Sequence, residues 1–325
     1  MTVTATNAED DISPIKSVSY FKYNGDTALD EGKLDKLYNE GEFKEYNNSI
    51  TVSPGEQAVI YGRVEDYAGN YTYVSSNGII ADNKAPEITF DVSPKNKYGE
   101  IYNGDVDVTV GVKDVCSGIK NVYYEVINGN EVTQSGDLYN FNVKSPTKSQ
   151  LEQKVSDNIT VDAEKNNSDN VEVIVTAVDN AGNPSENSVV LNINKTNPTI
   201  SVKFDNNDLK FAENERGYFN ANRTATVTIT DRFSTFDANA ATDGIKISGK
   251  GIDGNEISLD KTKMISKWDT NGDTHTAHVK FDENAKYDWS VSYQNKAGLK
   301  NSSVTETGDY VYDFTVDNSA PSLKL

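Results

Sequence analysis

Cysteine, histidine, tryptophan and methionine are nearly missing from this chain. Its 325 residues include one cysteine, Cys116, with two histidines, two tryptophans and two methionines. A lone cysteine excludes an intrachain disulfide framework and any multi-cysteine zinc or iron–sulfur site. Two histidines leave few groups for acid–base chemistry near neutral pH. Positive charge is also scarce: 31 basic side chains stand against 50 acidic ones, a net charge of −19. That balance argues against nucleic acid, whose binding needs a basic face that releases counterions, and against docking on anionic lipid. No apolar run approaches the roughly 18–20 residues that span a bilayer. Residues Met1 to Thr6 show no charged segment followed by an apolar one, so no signal peptide is read there.

What remains is a polar but globular composition, 36% hydrophobic and 25% charged, rich in Asn, Asp, Thr, Ser and Tyr. Repeats dominate it. Asp66-Tyr67-Ala68-Gly69-Asn70, Asp179-Asn180-Ala181-Gly182-Asn183 and Asn295-Lys296-Ala297-Gly298-Leu299 are three versions of one turn. The acid or amide can bond nearby backbone, two residues on, and the glycine supplies a positive φ. Each turn is followed by a second shared signal ending in Pro86, Pro198 or Pro321, and these prolines lie 112 and 123 residues apart. Such a period is too long for a solenoid repeat or propeller blade and suits one β-sandwich per copy.

Between these signals apolar residues alternate with a period of two, as in Val106, Val108, Val110 and Val112, or Ala225, Val227 and Ile229. Strict alternation marks antiparallel strands with one face on a core and one in water. An Ile-Lys pair (Ile15-Lys16, Ile119-Lys120, Ile245-Lys246) starts a strand in each copy. Helix is expected only as a turn or two within Gly32–Tyr46 and Lys148–Val155. The expected architecture is therefore all-β: three tandem immunoglobulin-like antiparallel sandwiches, at 1–85 (first strand missing), 86–197 and 198–320, with 321–325 opening a fourth. The chain reads as a segment of a longer tandem array. Each linker holds one proline and almost no glycine, so the junctions should be short and stiff.

Motifs that suggest chemistry mostly fail on their mechanics. Gly249 to Gly254 matches a dinucleotide glycine pattern, and Gly244 to Lys250 nearly matches a phosphate loop, but Asn255 to Leu259 read as a strand where both need a helix. His275 and His278, three apart on a strand, point to opposite faces. Asp269, Asn271 and Asp273 open like a calcium loop, yet Thr274 stands where glycine is needed and Lys280 where glutamate is needed. An Asn-Gly turn explains the same residues without a metal. Cys116 has no histidine in its own repeat to activate it. The 18 tyrosines, Tyr123 and Tyr124 among them, read as core or scattered surface rather than a sugar platform. No catalytic set can be nominated, no enzyme activity is expected, and no cofactor is expected, with calcium the only metal to consider.

With these residues in view, the chain resembles the tandem bacterial immunoglobulin-like repeats of large, clostridial-type cell-surface proteins. The carriers are the Asp-x-Ala-Gly-Asn turn, the linker from Val316-Asp317 to Pro321, and a stretch of copy three running from Tyr218-Phe219-Asn220 through Arg223–Val227, Trp268, Gly272–Thr276, Phe281 and Tyr287 to Gly298. Copy three departs from the pattern at Gln294-Asn295 and Leu299. The resemblance implies an extracellular, cell-surface stalk or adhesive module, monomeric, with a protein or glycan ligand that the sequence does not name. A carbohydrate-binding accessory segment of a secreted glycosidase is the alternative. The linkers share the Asp-Asn…Pro wording of calcium-stiffened cadherin junctions but lack their companion acidic motifs. Copy three is the longest. Its insertion Asp231–Asp243, carrying Arg232, Phe233 and Phe236, and its Asp269–Asp273 turn make it the copy expected to bind a ligand or calcium, if any copy does.

Overall fold

The computed structural model describes every residue except 26, 144–149, 252 and 324–325. Strand accounts for 50% of the chain and helix for only 7%, which makes the fold all-β. The chain gathers into two compact units: Met1–Ser93 with Asp107–Ile159 and Glu172–Val189, and Pro94–Val106 with Thr160–Val171 and Val190–Leu325. Segment 86–197, expected as one repeat, contributes to both.

In the first unit, Ile15–Tyr23 pairs antiparallel with Glu56–Asp66, which continues the sheet to Tyr71–Ser75 and also pairs with Ile79–Ala81. Ile50, Val52, Ala58 and Ile60 form its small core. The helix Glu31–Asn39 starts where Asp30 accepts a bond from the Lys33 amide, and it buries Leu34. Farther along, Val106–Lys113 lies between Glu87–Val92 and Lys154–Val161, while Glu131–Asn140, Ile119–Asn128, Val171–Asp179 and Pro184–Ile193 are neighbours in that order in a second sheet. The alternation read from sequence is the burial pattern observed: Val106, Val108, Val110 and Val112 are buried and the residues between them are half-exposed.

The second unit contains two five-stranded sheets. One orders Asp269–Asn271, Thr274–Phe281, Arg223–Thr230, Thr199–Phe204 and Ser303–Thr307; the other orders Phe211–Glu213, Arg216–Phe219, Asp313–Val316, Ala285–Val291 and Ile245–Lys250. Residues of both sheets share one core, in which Phe281 and Phe314 meet edge to face at 5.0 Å and 82°. Arg223 is fully buried in that core. Its guanidinium lies 3.8 Å from the ring centres of Phe204 and of Phe219, and donates to the carbonyls of Asn206, Tyr310 and Asp309 at 3.0, 3.1 and 3.2 Å. Burial pulls its pKa down to about 10 against the pull of Asp205 and Asp309.

Several local expectations need correction. Asn255–Leu259 is not a strand; only a single bridge joins Lys250 and Glu256, because the chain turns back at once through Gly254 to Gly251. Two helices stand where none was expected: Ala238–Gly244, capped by Asp237, and Lys261–Met264, capped by Asp260. Of Lys148–Val155, residues 148–149 lie outside the described residues, and Lys154 and Val155 begin a strand. Pro321–Leu323 forms no strand, and residues 324–325 lie outside the described residues.

The three Ala-Gly turns are closed by the same bonds. The amide of Asp66, Asp179 or Asn295 donates to the carbonyl four residues on (Asn70, Asn183, Leu299), and the amide of Gly69, Gly182 or Gly298 donates back to the turn's first residue. Each first side chain also accepts the amide four residues on, at 2.7 Å for Asp66, 2.8 Å for Asp179 and 3.0 Å for Asn295, and Asn295 takes the Ala297 amide two residues on as well, at 3.0 Å, as the turn chemistry suggested. The glycines sit at φ +89°, +92° and +74°. At Gly182 a Cβ would meet nothing within 4 Å, so its cost is purely conformational.

Two outcomes follow. Phe314→Ala should destabilise the second unit by about 3–5 kcal/mol in denaturant unfolding, since it empties the aromatic centre of the core. Gly182→Ala should cost about 1–2 kcal/mol from the left-handed backbone alone, and Gly182→Asn less, as Asn visits that region more readily.

Candidate functional site

The period-two phase of the strands places polar groups at the interior end of each sandwich. Carried one step past Val112, the inward phase lands on Asp114; past Ala177 it lands on Asp179; past Ile229 on Asp231; past Tyr293 on Asn295. All four are buried, at 3%, 0%, 4% and 5% exposure, so each must find partners indoors. A linker residue joins each pair from its own side. Asp82 and Asn194 start the linkers ending in Pro86 and Pro198, and each accepts the amide two residues on, from Lys84 and Thr196 at 3.0 Å. Asp317 does the same with Ser319 at 2.9 Å before Pro321. These are Asx turns that fix the chain's entry into the next strand.

At the first junction three carboxylates converge. Asp82, Asp114 and Asp179 each bring one oxygen to within 4.8 Å of the others. Backbone and amide donors hold them from outside. Asp114 accepts from the Cys116 and Gly118 amides at 3.1 and 2.6 Å, Asp179 from the Asn183 amide and its Nδ2 at 2.8 and 2.7 Å, and Asp82 from the Ser117 amide at 2.9 Å. Among the described residues none of the three has an ion-pair partner. At an effective dielectric of about 20, two unit charges 4.8 Å apart repel by roughly 3–4 kcal/mol. Burial opposes ionisation of Asp82, yet the amides of Lys84 and Ser117 and then the Ser117 hydroxyl hold its carboxyl below the usual range. Burial foremost, then Asp82, Asp114 and Asp179, pushes the Cys116 thiol up, the opposite of what a nucleophile needs.

At the second junction the same three places carry Asn194, Asp231 and Asn295, and the network closes on itself. Asn295 Nδ2 donates to Asp231 Oδ1 at 2.9 Å, the Thr235 hydroxyl reaches the same oxygen at 3.1 Å, and Tyr293 donates its phenol proton to Asp231 Oδ2 at 3.1 Å. Asn194 Nδ2 in turn donates to Thr235 Oγ1 at 2.9 Å. One carboxylate, two amides and two hydroxyls satisfy one another.

The residues singled out in copy three are absorbed into structure. Asp269–Asn271 is a strand paired with Thr274–Phe281, and Gly272 turns between them at φ +58°. Asp273 accepts the Phe233 amide at 2.9 Å, so Asp269, Asn271 and Asp273 span a hairpin instead of converging. That hairpin and the Asp231–Asp243 loop share an end, since Asp231 also donates its amide to Asp273 and Phe236 meets Trp268 at 5.6 Å. Arg232 is spent on the carbonyls of Ile193 and Asn167 and on Asp169. His275 is fully buried, stacked on Phe236 at 3.7 Å, and His278 is exposed on the opposite face. Gly249–Gly254 opens no helix. The sequence reading missed the Asp82–Asp114–Asp179 group because its companion acids come from distant strands. The inward phase of those strands marks Asp114 and Asp179 as buried, but not that they meet.

Among the described residues no helix is long and apolar enough to cross a membrane. No family model and no curated protein matches the chain. Among solved structures, a tetra-tandem repeat in the extending region of a large adhesion protein is similar at TM-score 0.36 and 14% identity, covering 93% of this chain, which spans 66% of that one. A 1.5-MDa bacterial ice-binding adhesin is similar at TM-score 0.31 and 13% identity, covering 95% of this chain and 89% of that one. The chicken CNTN1 FN1–FN3 domains are similar at TM-score 0.26 and 14% identity, covering 93% and 91%.

Proposed function

We propose that the chain is a load-bearing stalk segment of a bacterial cell-surface protein, extracellular, holding a binding region away from its anchor. One observation carries this reading: strands near the two ends of copy three pair in parallel. Thr199–Phe204 pairs in parallel with Ser303–Thr307, and Arg216–Phe219 with Asp313–Val316. Tension entering at Pro198 and leaving at Pro321 pulls such partners along their length in opposite senses. Their hydrogen bonds then bear load together, whereas a hairpin pulled open from one end loses them one at a time. The segment 86–197 repeats the device in short form, with Ile101 and Tyr102 in parallel register with Asn192 and Ile193.

A sugar-binding role would call for coplanar exposed rings. The exposed rings of Tyr71 and Phe211 instead meet Tyr73 and Tyr218 at 74° and 46°, which disfavours a stacking platform. The net charge of −19 keeps such segments soluble and mutually repelling. No catalytic role is proposed.

Single-molecule pulling tests the reading. With handles at residues 198 and 321, copy three should rupture at a clearly higher force than with handles at 198 and 230, where the antiparallel pair Thr199–Thr230 opens first. Equal or lower force in the end-to-end geometry would overturn it.

A further inference from the structure

We propose that the tandem copies bend at the first junction and are held stiff at the second, because Arg232 clamps copy three to copy two. The inference goes beyond the stalk reading and does not depend on it, since it concerns tandem copies in any role. Neighbouring copies move against one another unless contacts beside their linker prevent it. A linker with one contact beside it leaves rotation about the line through both. A second contact, made by other loops, removes that rotation.

The second junction has both contacts. Arg232 follows the strand-end Asp231, and its carbonyl accepts the amides of Thr235 and Phe236 at 2.9 and 3.1 Å and the Thr235 hydroxyl at 3.0 Å, which fixes the root of the side chain. The guanidinium reaches back into copy two. Nη1 donates to the Ile193 carbonyl at 2.7 Å and to Asp169 Oδ1 at 3.0 Å, and Nη2 to the Asn167 carbonyl and Oδ1 at 2.9 and 2.5 Å. The Ser234 hydroxyl donates to the same Asp169 oxygen at 2.8 Å. A planar, permanently charged fork holds acceptors on three residues in one geometry, which a lysine ammonium on its flexible stem does not. Other loops make the second contact. Asn103 Nδ2 of copy two donates to the Ala297 carbonyl of copy three at 2.8 Å, and beside it the Tyr98 ring lies so close to Gly298 that a Cβ there would stand 2.5 Å from it.

The first junction has one. The position after the strand-end Asp114 holds Val115, which is 65% exposed and has no side-chain donor. Among the described residues, copy one reaches the body of copy two through a single side-chain bond, from Gln57 Nε2 to the Cys116 carbonyl at 2.6 Å. The Ser117 amide and the Asn183 side chain hold linker residues Asp82 and Lys84 to copy two, so the linker travels with copy two and copy one turns against it.

The test uses the full chain with pairs of spin labels, carried on non-canonical residues so that Cys116 stays in place, and reads the width of the distance distribution between them. One pair, at Thr72 and Ser156, spans the first junction, and the other, at Thr160 and Lys280, spans the second; all four are exposed strand positions. In the wild-type chain the second pair should give a narrow distribution and the first a broad one. Arg232→Ala leaves the second junction with the Asn103 contact alone, so its distribution should broaden to match the first, with the circular dichroism of the chain unchanged. Two junctions of equal width in the wild-type chain would overturn the proposal. So would a second junction that stays narrow in Arg232→Ala. Should that variant not fold, the wild-type comparison of the two junctions decides alone.

Discussion

Where a strand reaches the end of a sandwich its ladder stops, yet the side chain at the last inward position still points into the interior. In this protein that position is given to an acid or amide, which reaches forward to the amide four residues on and so satisfies a backbone donor that the turn would otherwise leave without a side-chain partner. The rest of each end is built on that bond. It sets the Ala-Gly turn, it brings the loop after the preceding valine strand alongside, and it gives the linker's first Asp or Asn something to face. Removing the carboxyl or amide would strand several backbone groups at once, a larger loss than one hydrogen bond's net contribution of about 1 kcal/mol.

The same demand is met at the two junctions by the same turn-closing bonds and by side chains of different charge. An aspartate and an asparagine serve equally well as acceptors for a turn amide, so exchange between them leaves the fold untouched. It changes what the side chains do to one another. Asp231 is surrounded by neutral donors from Asn295, Thr235 and Tyr293. Asp114 faces two further carboxylates. A change of a few atoms separates the closed polar network at Asp231 from the cluster of carboxylates at Asp114.

Much of this was legible in the sequence. The alternation of Val106 to Val112 is the burial pattern itself, and Ile15, Ile119 and Ile245 each begin a strand. Turn chemistry is local, so Gly69, Gly182 and Gly298 could be placed from a handful of neighbours. Two things were harder. Arg223 occupies the inward phase with Ala225, Val227 and Ile229, and hydrophobic expectation overrides so charged a residue; its aromatic cage of Phe204, Phe219 and Phe314 assembles from strands far apart in sequence. The carboxylate group at the first junction required knowing which strand ends meet, which period and phase alone do not contain. The hairpin at Asp269–Asp273 drew attention because its acids are adjacent in sequence, while the acids that converge are not.

Each strand end rests on the turn-closing bond of its acid or amide, and amide hydrogen exchange measures these bonds directly. The amides of Asn70, Asn183 and Leu299 lie in turns, where exposed backbone exchanges readily, yet each is held by a side-chain oxygen at 2.7–3.0 Å. These three should exchange as slowly as amides of the flanking strands. Exchange at the rate of an unprotected loop, at all three together, would contradict this.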